Sequence, residues 1–214
     1  QMGNQGGSNP LLQMVQGWVD SGVIGKISKV QIWTNRPVWP QGIKMPAADP
    51  SAKPADLNWD LWLGPAPDKP YTPNMHPFNW SGWWDYGTGA LGDVGCHLID
   101  IPYRTLGLKY PKDAECSVGT VYSRMWTPDY LPEGCPPSSF TTLHFDATAK
   151  SKSPIEMTWS DGGIRPSHPE IIPANDDIGG SGSANGVLMI GEKGIISTNI
   201  NDSSPLMPKL YLND

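Results

Sequence analysis

Asp93 and His97 stand four residues apart in NWSGWWDYGTGALGDVGCHLIDIPYRTL, residues 79–106. On a helix that spacing stacks the two side chains on one face. The chemistry it offers is proton transfer. A carboxylate bonded to one ring nitrogen fixes the histidine tautomer and supports the imidazolium, and the other nitrogen takes or gives the proton. Spacing alone suits equally an exposed Asp–His pair that adds about 0.2–0.5 kcal/mol to a helix. The approach to the pair favours the chemical reading. Trp80, Trp83, Trp84 and Tyr86 fall within eight residues and run into Gly87-Thr88-Gly89, a turn that lets a ligand come close to the backbone. Tryptophan faces stack on the C–H faces of sugars, although large aromatics also build cores and brace loops.

Asp85 and Tyr86 adjoin the glycine turn and join the three tryptophans as candidate substrate contacts. His76 in HPFNW, Arg36 in TNRP and His168 in RPSHPE are further candidates for polar contacts in the same pocket. No metal site is expected. Cys96 and His97 are adjacent and cannot share a helical face with Asp93. The spacing of Cys96, Cys116 and Cys135 matches no zinc motif.

The element that must position the pair is a helix beginning at the glycine turn. Leu91, Val94, Leu98 and Ile101 give it an apolar face, and Asp100 and Arg104 continue the polar one. Pro102 removes a backbone donor, so the helix should kink or end early. An earlier helix is expected from Pro10 to about Ser21, capped by Ser8 or Asn9 and stopped by Gly22. Residues 26–34 read as a strand. Residues 35–78 hold ten prolines and read as a long loop. Within it, WDLWLGPAP, residues 59–67, is too aromatic for disorder and reads as an ordered excursion folding back over the site.

Strands are expected at 115–122, 139–146, 154–160, 186–190, 194–198 and 209–213. Glu192-Lys193 forms a hairpin tip between two of them. Residues 161–185 form a second loop region, and GGSGSANG, 179–186, should be mobile or wrap a ligand. The fold class is α+β: an open, mostly antiparallel sheet covered on one face by helices, with long ordered loops. A net charge of −6 and a pI near 5.1 argue against nucleic acid as a partner. No apolar run approaches the roughly 18 residues of a membrane span. Compartment stays open between cytoplasm and periplasm.

The ordered series WTNRPVWPQG, WDLWLGPAP, HPFNWSGWWDYGTGALGDVGCHLID and GVLMIGEKG resembles the C-terminal domain of the Gfo/Idh/MocA oxidoreductases, in the form common in Bacteroidetes and Planctomycetes. The resemblance implies a two-domain enzyme using NAD or NADP on a sugar or cyclitol. Residues 1–9 would be the remnant of a linker from a Rossmann domain. Residues 10–214 would be the substrate-binding and catalytic domain, shortened at its C-terminus. Asp93 and His97 match the family's D-x-G-x-H signature, where the His serves as general acid or base and the Asp orients it or contacts substrate. Gly95 keeps the backbone between them slim, and Asp100 is expected to be structural. The open sheet face implies a homo-oligomer. The family's dinucleotide loop and E-K-P lysine are absent from this sequence, so the chain alone is expected to be inactive. Two alternatives remain: a redox-neutral, NAD-dependent glycosidase of the same superfamily, and a non-catalytic dimerisation or sugar-binding module.

Overall fold

The computed structural model describes residues 4–199 and 207–213. Residues 1–3 of the expected linker lie outside the described residues. The first helix, α1, spans Leu11–Ser21 and buries Leu12, Val15 and Val19 along one side. Asn9 Oδ1 accepts from the Leu11 N–H at 3.0 Å, and Gly22 ends the helix. The strands are β1 (Ile27–Thr34), β2 (Asp113–Val118), β3 (Ser139–Phe145), β4 (Ile155–Ser160), β5 (Asn185–Gly191), β6 (Gly194–Thr198) and β7 (Lys209–Leu212). They form one sheet in the order β2-β3-β4-β1-β5-β6-β7. Only β1 and β4 run parallel; every other neighbouring pair is antiparallel. The open, mostly antiparallel α+β sheet is therefore present, and β5 and β6 meet at the expected Glu192-Lys193 tip. β2 begins two residues before the expected Glu115 and stops at Val118. Its pairing runs from Asp113 opposite His144 to Val118 opposite Ser139.

Helices cover one face. α3 (Gly89–Leu98) and α4 (Asp100–Thr105) follow the glycine turn, and a short α2 (Trp59–Leu63) lies inside the proline-rich excursion. Leu12, Val15 and Val19 of α1, Leu98 of α3 and Ile101 of α4 pack on Val30, Ile32, Met157, Trp159, Val187 and Met189. The division of the central helix follows from Pro102. The Ile99 N–H reaches Gly95 O at 2.8 Å and the Tyr103 N–H reaches Ile99 O at 2.9 Å. Pro102 has no N–H to offer Leu98 O between them, so the ladder breaks there.

The opposite face is divided. Over β1, β5 and β6 a second apolar cluster joins Trp33, Leu188 and Ile195 to Ile172 and Ile178 of the loop after β4. GGSGSANG belongs to this cover and wraps an indole of the protein itself. The Trp33 Nε1–H donates to Ser183 O at 2.8 Å, and a Cβ at Gly186 would lie 2.5 Å from the Trp33 ring. Over β2, β3, β4 and β1 the same face carries a transverse row, Asp113, His144, Glu156 and Lys29, each opposite the next. The long loops are tied to one another through backbone. Gly42 N–H donates to Cys135 O, Cys135 N–H to Gly82 O and Trp84 N–H to Glu133 O, all at 2.8–3.0 Å.

Candidate functional site

The structure brings together part of the predicted constellation. Trp80, Trp84, Asp85 and Tyr86 line one cleft of about 610 Å³ with Trp62, Leu63, Pro65, Ala66 and Pro67. The excursion at 59–67 is ordered, as its composition predicts, and folds back over the aromatic segment; neither Asp93 nor His97 lines the cleft it forms. Trp62 is the hub of the aromatic wall. It stacks on Trp59 at 4.6 Å with 9° between planes and meets Tyr86 at 5.5 Å and His76 at 6.3 Å. Asn58 Oδ1 caps the helix that carries it, accepting from the Leu61 N–H at 3.0 Å. The Trp59 Nε1–H is anchored on Lys69 O at 2.8 Å.

The polar side of the cleft is built by Asp85, Lys69 and Tyr86. Lys69 Nζ donates to Asp85 Oδ2, and that bond holds the amine pKa above its ordinary value. The Tyr86 hydroxyl is buried without a hydrogen-bond partner. Burial first, and the Asp85 carboxylate second, push its pKa up. The ring is therefore a neutral hydroxyl at physiological pH, able both to donate and to accept.

The other predicted residues lie elsewhere. Trp83 is 2% exposed and packs inside the loop network beside Gly134, so it is a core residue and not a cleft contact. His76 touches the cleft only through Trp62. Arg36 Nη1 donates to the neighbouring Asn35 Oδ1 at 2.6 Å, and its carbonyl accepts from Gly162 N–H, which makes it a loop brace. His168 is exposed. Its nitrogens face Pro169 O at 3.1 Å and Asp176 O at 3.0 Å, so it ties the loop after β4 to itself.

Asp93 and His97 occupy one face of α3 as their spacing predicts, with Asp93 exposed and His97 half-buried. The partner of His97 Nδ1 is Asn4 Oδ1, 3.2 Å away. Neighbouring contacts repeat the pattern. Arg104 Nη1 donates to Gly7 O at 2.9 Å and lies 3.6 Å from Asp100 Oδ2. The N-terminal segment is thus laid against the polar side of α3 and α4. Cys96, on the same helix, has its thiol pKa raised by burial and then by Asp93, which keeps it protonated. Among the described residues no three His, Cys, Asp or Glu side chains gather to hold a metal ion. None of the described helices is long and apolar enough to cross a membrane.

Sequence reasoning missed Asn4 and Lys69. Asn4 is 93 residues from its partner and Lys69 is 16 from its own, and no local pattern marks contacts of that range.

The profile of the Gfo/Idh/MocA oxidoreductase family, C-terminal alpha/beta domain, matches residues 9–118, which include Asp93 and His97. No protein of curated function matches in sequence. Among solved structures, the WlbA dehydrogenase from Bordetella pertussis, in complex with NADH and UDP-GlcNAcA, is 13% identical. It aligns over 96% of this chain and 44% of its own, with a TM-score of 0.45. An inositol dehydrogenase homolog from Azotobacter vinelandii, complexed with NADH and myo-inositol, is 14% identical over 99% and 39%, TM-score 0.46. A super-repressor mutant of Gal80p from Saccharomyces cerevisiae is 12% identical over 99% and 45%, TM-score 0.46. The chain spans less than half the length of each of these structures.

Proposed function

Because the chain belongs to the Gfo/Idh/MocA oxidoreductase family through its C-terminal alpha/beta domain, we propose that it is the substrate-facing half of a nicotinamide-dependent enzyme that oxidises a sugar or cyclitol hydroxyl. His97 is the general acid/base and Asp93 supports its charge. The observation that carries this reading is the placement of His97 on the helix face against which the N-terminal segment is laid. Asn4 Oδ1 lies 3.2 Å from His97 Nδ1 and orients the ring; in this reading Nδ1 carries the N–H and Nε2 faces the substrate. That nitrogen takes the hydroxyl proton as the carbon loses hydride.

Among the described residues no strand passes through a glycine-rich turn directly into a helix. In this reading the cofactor, NAD or NADP, is held mainly by a further domain, and the 214 residues alone are expected to give no turnover. Trp80, Trp84, Asp85 and Tyr86 serve as sugar contacts. The row Asp113, His144, Glu156 and Lys29 on the uncovered part of the sheet supports contact between two copies there.

The test uses the complete reading-frame product with sugars and cyclitols, following NAD(P)H formation and aglycone release together. His97→Ala should lower kcat by about 10²–10⁴-fold. Unchanged turnover in that variant sinks the assignment. Aglycone release without net NAD(P)H, lost in the same variant, would make the enzyme a redox-neutral glycosidase using the same base.

A further inference from the structure

The connection from β2 to β3 projects residues 119–131 as a narrow finger. Its base is closed by the Gly119 N–H on Ser138 O at 2.9 Å and the Asp129 N–H on Val121 O at 2.8 Å. The Asp129 carboxylate braces the two sides, accepting from Ser123 Oγ at 2.6 Å and from the Ser123 N–H at 3.2 Å. At the tip, Arg124 and Thr127 pair across a tight turn. The finger is thus a built element, yet it leaves its large side chains uncovered. Met125 is 83% exposed, Trp126 90%, Tyr130 87% and Tyr122 59%. Trp126 also holds φ at +64°, a left-handed backbone that a bulky residue rarely adopts. No burial of the indole offsets that strain, and strain of this kind collects at functional positions.

At about 150–250 Å² per aromatic side chain, Tyr122, Trp126 and Tyr130 alone leave roughly 350–600 Å² open at these exposures. That already matches the largest apolar patch of a typical monomer, about 300–600 Å². Met125 and the exposed Ile43 carry it toward the roughly 800 Å² that one side of a standard protein interface takes. Between the finger and residues 42–44 runs a groove of about 700 Å³, with Ile43, Pro128, Tyr130 and Leu131 in its walls. A second hollow of about 310 Å³ continues it past Met45 to Glu133. Projection and recess therefore stand side by side on one surface, and their charges are opposite. The tip carries Arg124 alone, whereas the recess sets Asp129 and Glu133 against Lys44. Among the described residues Arg124, Lys44 and Glu133 form no ion pair. A surface that offers both a knob and a matching hole is satisfied at both by a second copy of itself, in a two-fold contact where each tip fills the other's recess. An unrelated partner would fill one and leave the other.

We infer that residues 119–131 are a clasp between two copies of this chain, with Met125 and Trp126 of each seated in the groove of the other and Arg124 facing the partner's Glu133. The contact is separate from the charged row on the sheet. That row starts at Asp113, and the finger follows Val118 at the opposite end of β2. The clasp bears instead on the aromatic segment, because the Trp84 N–H donates to Glu133 O at 3.0 Å. The test is sedimentation velocity of the 214-residue chain over a range of concentrations. The wild type should gain mass reversibly as concentration rises. Met125→Ser combined with Trp126→Ser should weaken association about tenfold or more. Arg124→Glu and Glu133→Lys, each alone, should weaken it about fivefold or more by setting like charges together. An equimolar mixture of those two variants should associate as the wild type does, a rescue specific to reciprocal contact between copies. Circular dichroism should be unchanged in all of them.

A wild type that stays monomeric at every concentration, association indifferent to the Met125 and Trp126 changes, or single charge variants that mixing does not restore overturns the clasp. A monomer that instead floats with phosphatidylcholine vesicles, and ceases to when Trp126 is replaced, overturns it in favour of a membrane surface. Association lost in Glu156→Lys and kept in the Trp126 variant overturns it and leaves the contact at the sheet row standing. Association lost in the Trp126 variant and indifferent to Glu156→Lys supports the clasp and removes the contact at the row.

Discussion

Replacing Trp83 and Trp84 by alanine, one at a time, should give opposite results. Trp83 is 2% exposed and sits where the 79–84 segment crosses residues 131–135. Removing a buried tryptophan costs about 3–5 kcal/mol, because the lost transfer energy and the cavity add. With a urea slope of about 2 kcal/mol per molar, the unfolding midpoint of Trp83→Ala should fall by about 2 M. Trp84 is 53% exposed, and a substitution away from core and caps stays within about 0.5 kcal/mol. Trp83→Phe separates packing from hydrogen bonding. The Trp83 Nε1–H is buried without a partner, so phenylalanine removes an orphan donor while keeping most of the ring. Its cost should lie at least about 2 kcal/mol below that of alanine. The assay is urea unfolding followed by far-ultraviolet circular dichroism, which reports mainly the backbone. If Trp84→Ala loses as much stability as Trp83→Ala, the exposed indole supports the core and the cleft has no wall to offer a ligand.

Three further outcomes follow from the same geometry. Gly186→Ala places a methyl 2.5 Å from the Trp33 ring and should drive the indole off Ser183 O, at a cost of about 1–3 kcal/mol in thermal or urea unfolding; a neutral effect would contradict the packing. Asp161 is 2% exposed and accepts from Ser139 Oγ at 2.7 Å and Trp159 Nε1 at 2.9 Å, so Asp161→Ala should lose about 3–5 kcal/mol, and a loss below about 1 kcal/mol refutes the network. The bond from Asp113 holds the His144 pKa above the ordinary 6.5, so the stability it contributes is complete below that value and lost as pH rises through the raised one. A proton NMR titration should find the His144 midpoint higher in the wild type than in Asp113→Asn, and coincident midpoints would show that the pair does not form in solution.

What was legible in the sequence was local and periodic. The apolar spacing of Leu12, Val15 and Val19, the alternation of Ile155, Met157 and Trp159, and the glycines flanking Glu192-Lys193 each repeat at the period of one element. Those elements appeared with ends shifted by a residue or two. Pro102 announced the break between α3 and α4 because the missing donor is a property of one residue. Destinations of loop residues were not legible. Trp83 and Trp84 are identical and adjacent, and only the crossing with 131–135 sends one inward. Arg36 and His168 looked like substrate contacts because they are polar residues in long loops. They spend their polarity on neighbours one to eight residues away. GGSGSANG looked like a flexible or ligand-wrapping loop because glycine permits both. Here it permits a third thing, the close approach of backbone to Trp33.

The two ends of α3 differ in how they are held. At its start, the glycine turn is pressed on the preceding loop, where a Cβ at Gly87 would lie 2.6 Å from Ser81 Cα. That loop is in turn bonded through backbone to residues 131–135. At its end, α3 stops at Leu98 because Pro102 denies the next hydrogen bond, and His97 sits in the last turn facing Asn4. The cleft is therefore fixed by the domain's own loops, whereas the orientation of the His97 ring depends on a residue ahead of the first helix. On the proposed assignment, displacement of the N-terminal segment would reorient the His97 ring without altering the aromatic wall. Asn4→Ala consequently belongs with His97 and not with Trp84: it should change turnover and its pH profile while leaving saccharide affinity as it was. An Asn4→Ala variant with unchanged turnover and pH profile would show that the His97 ring does not depend on that contact.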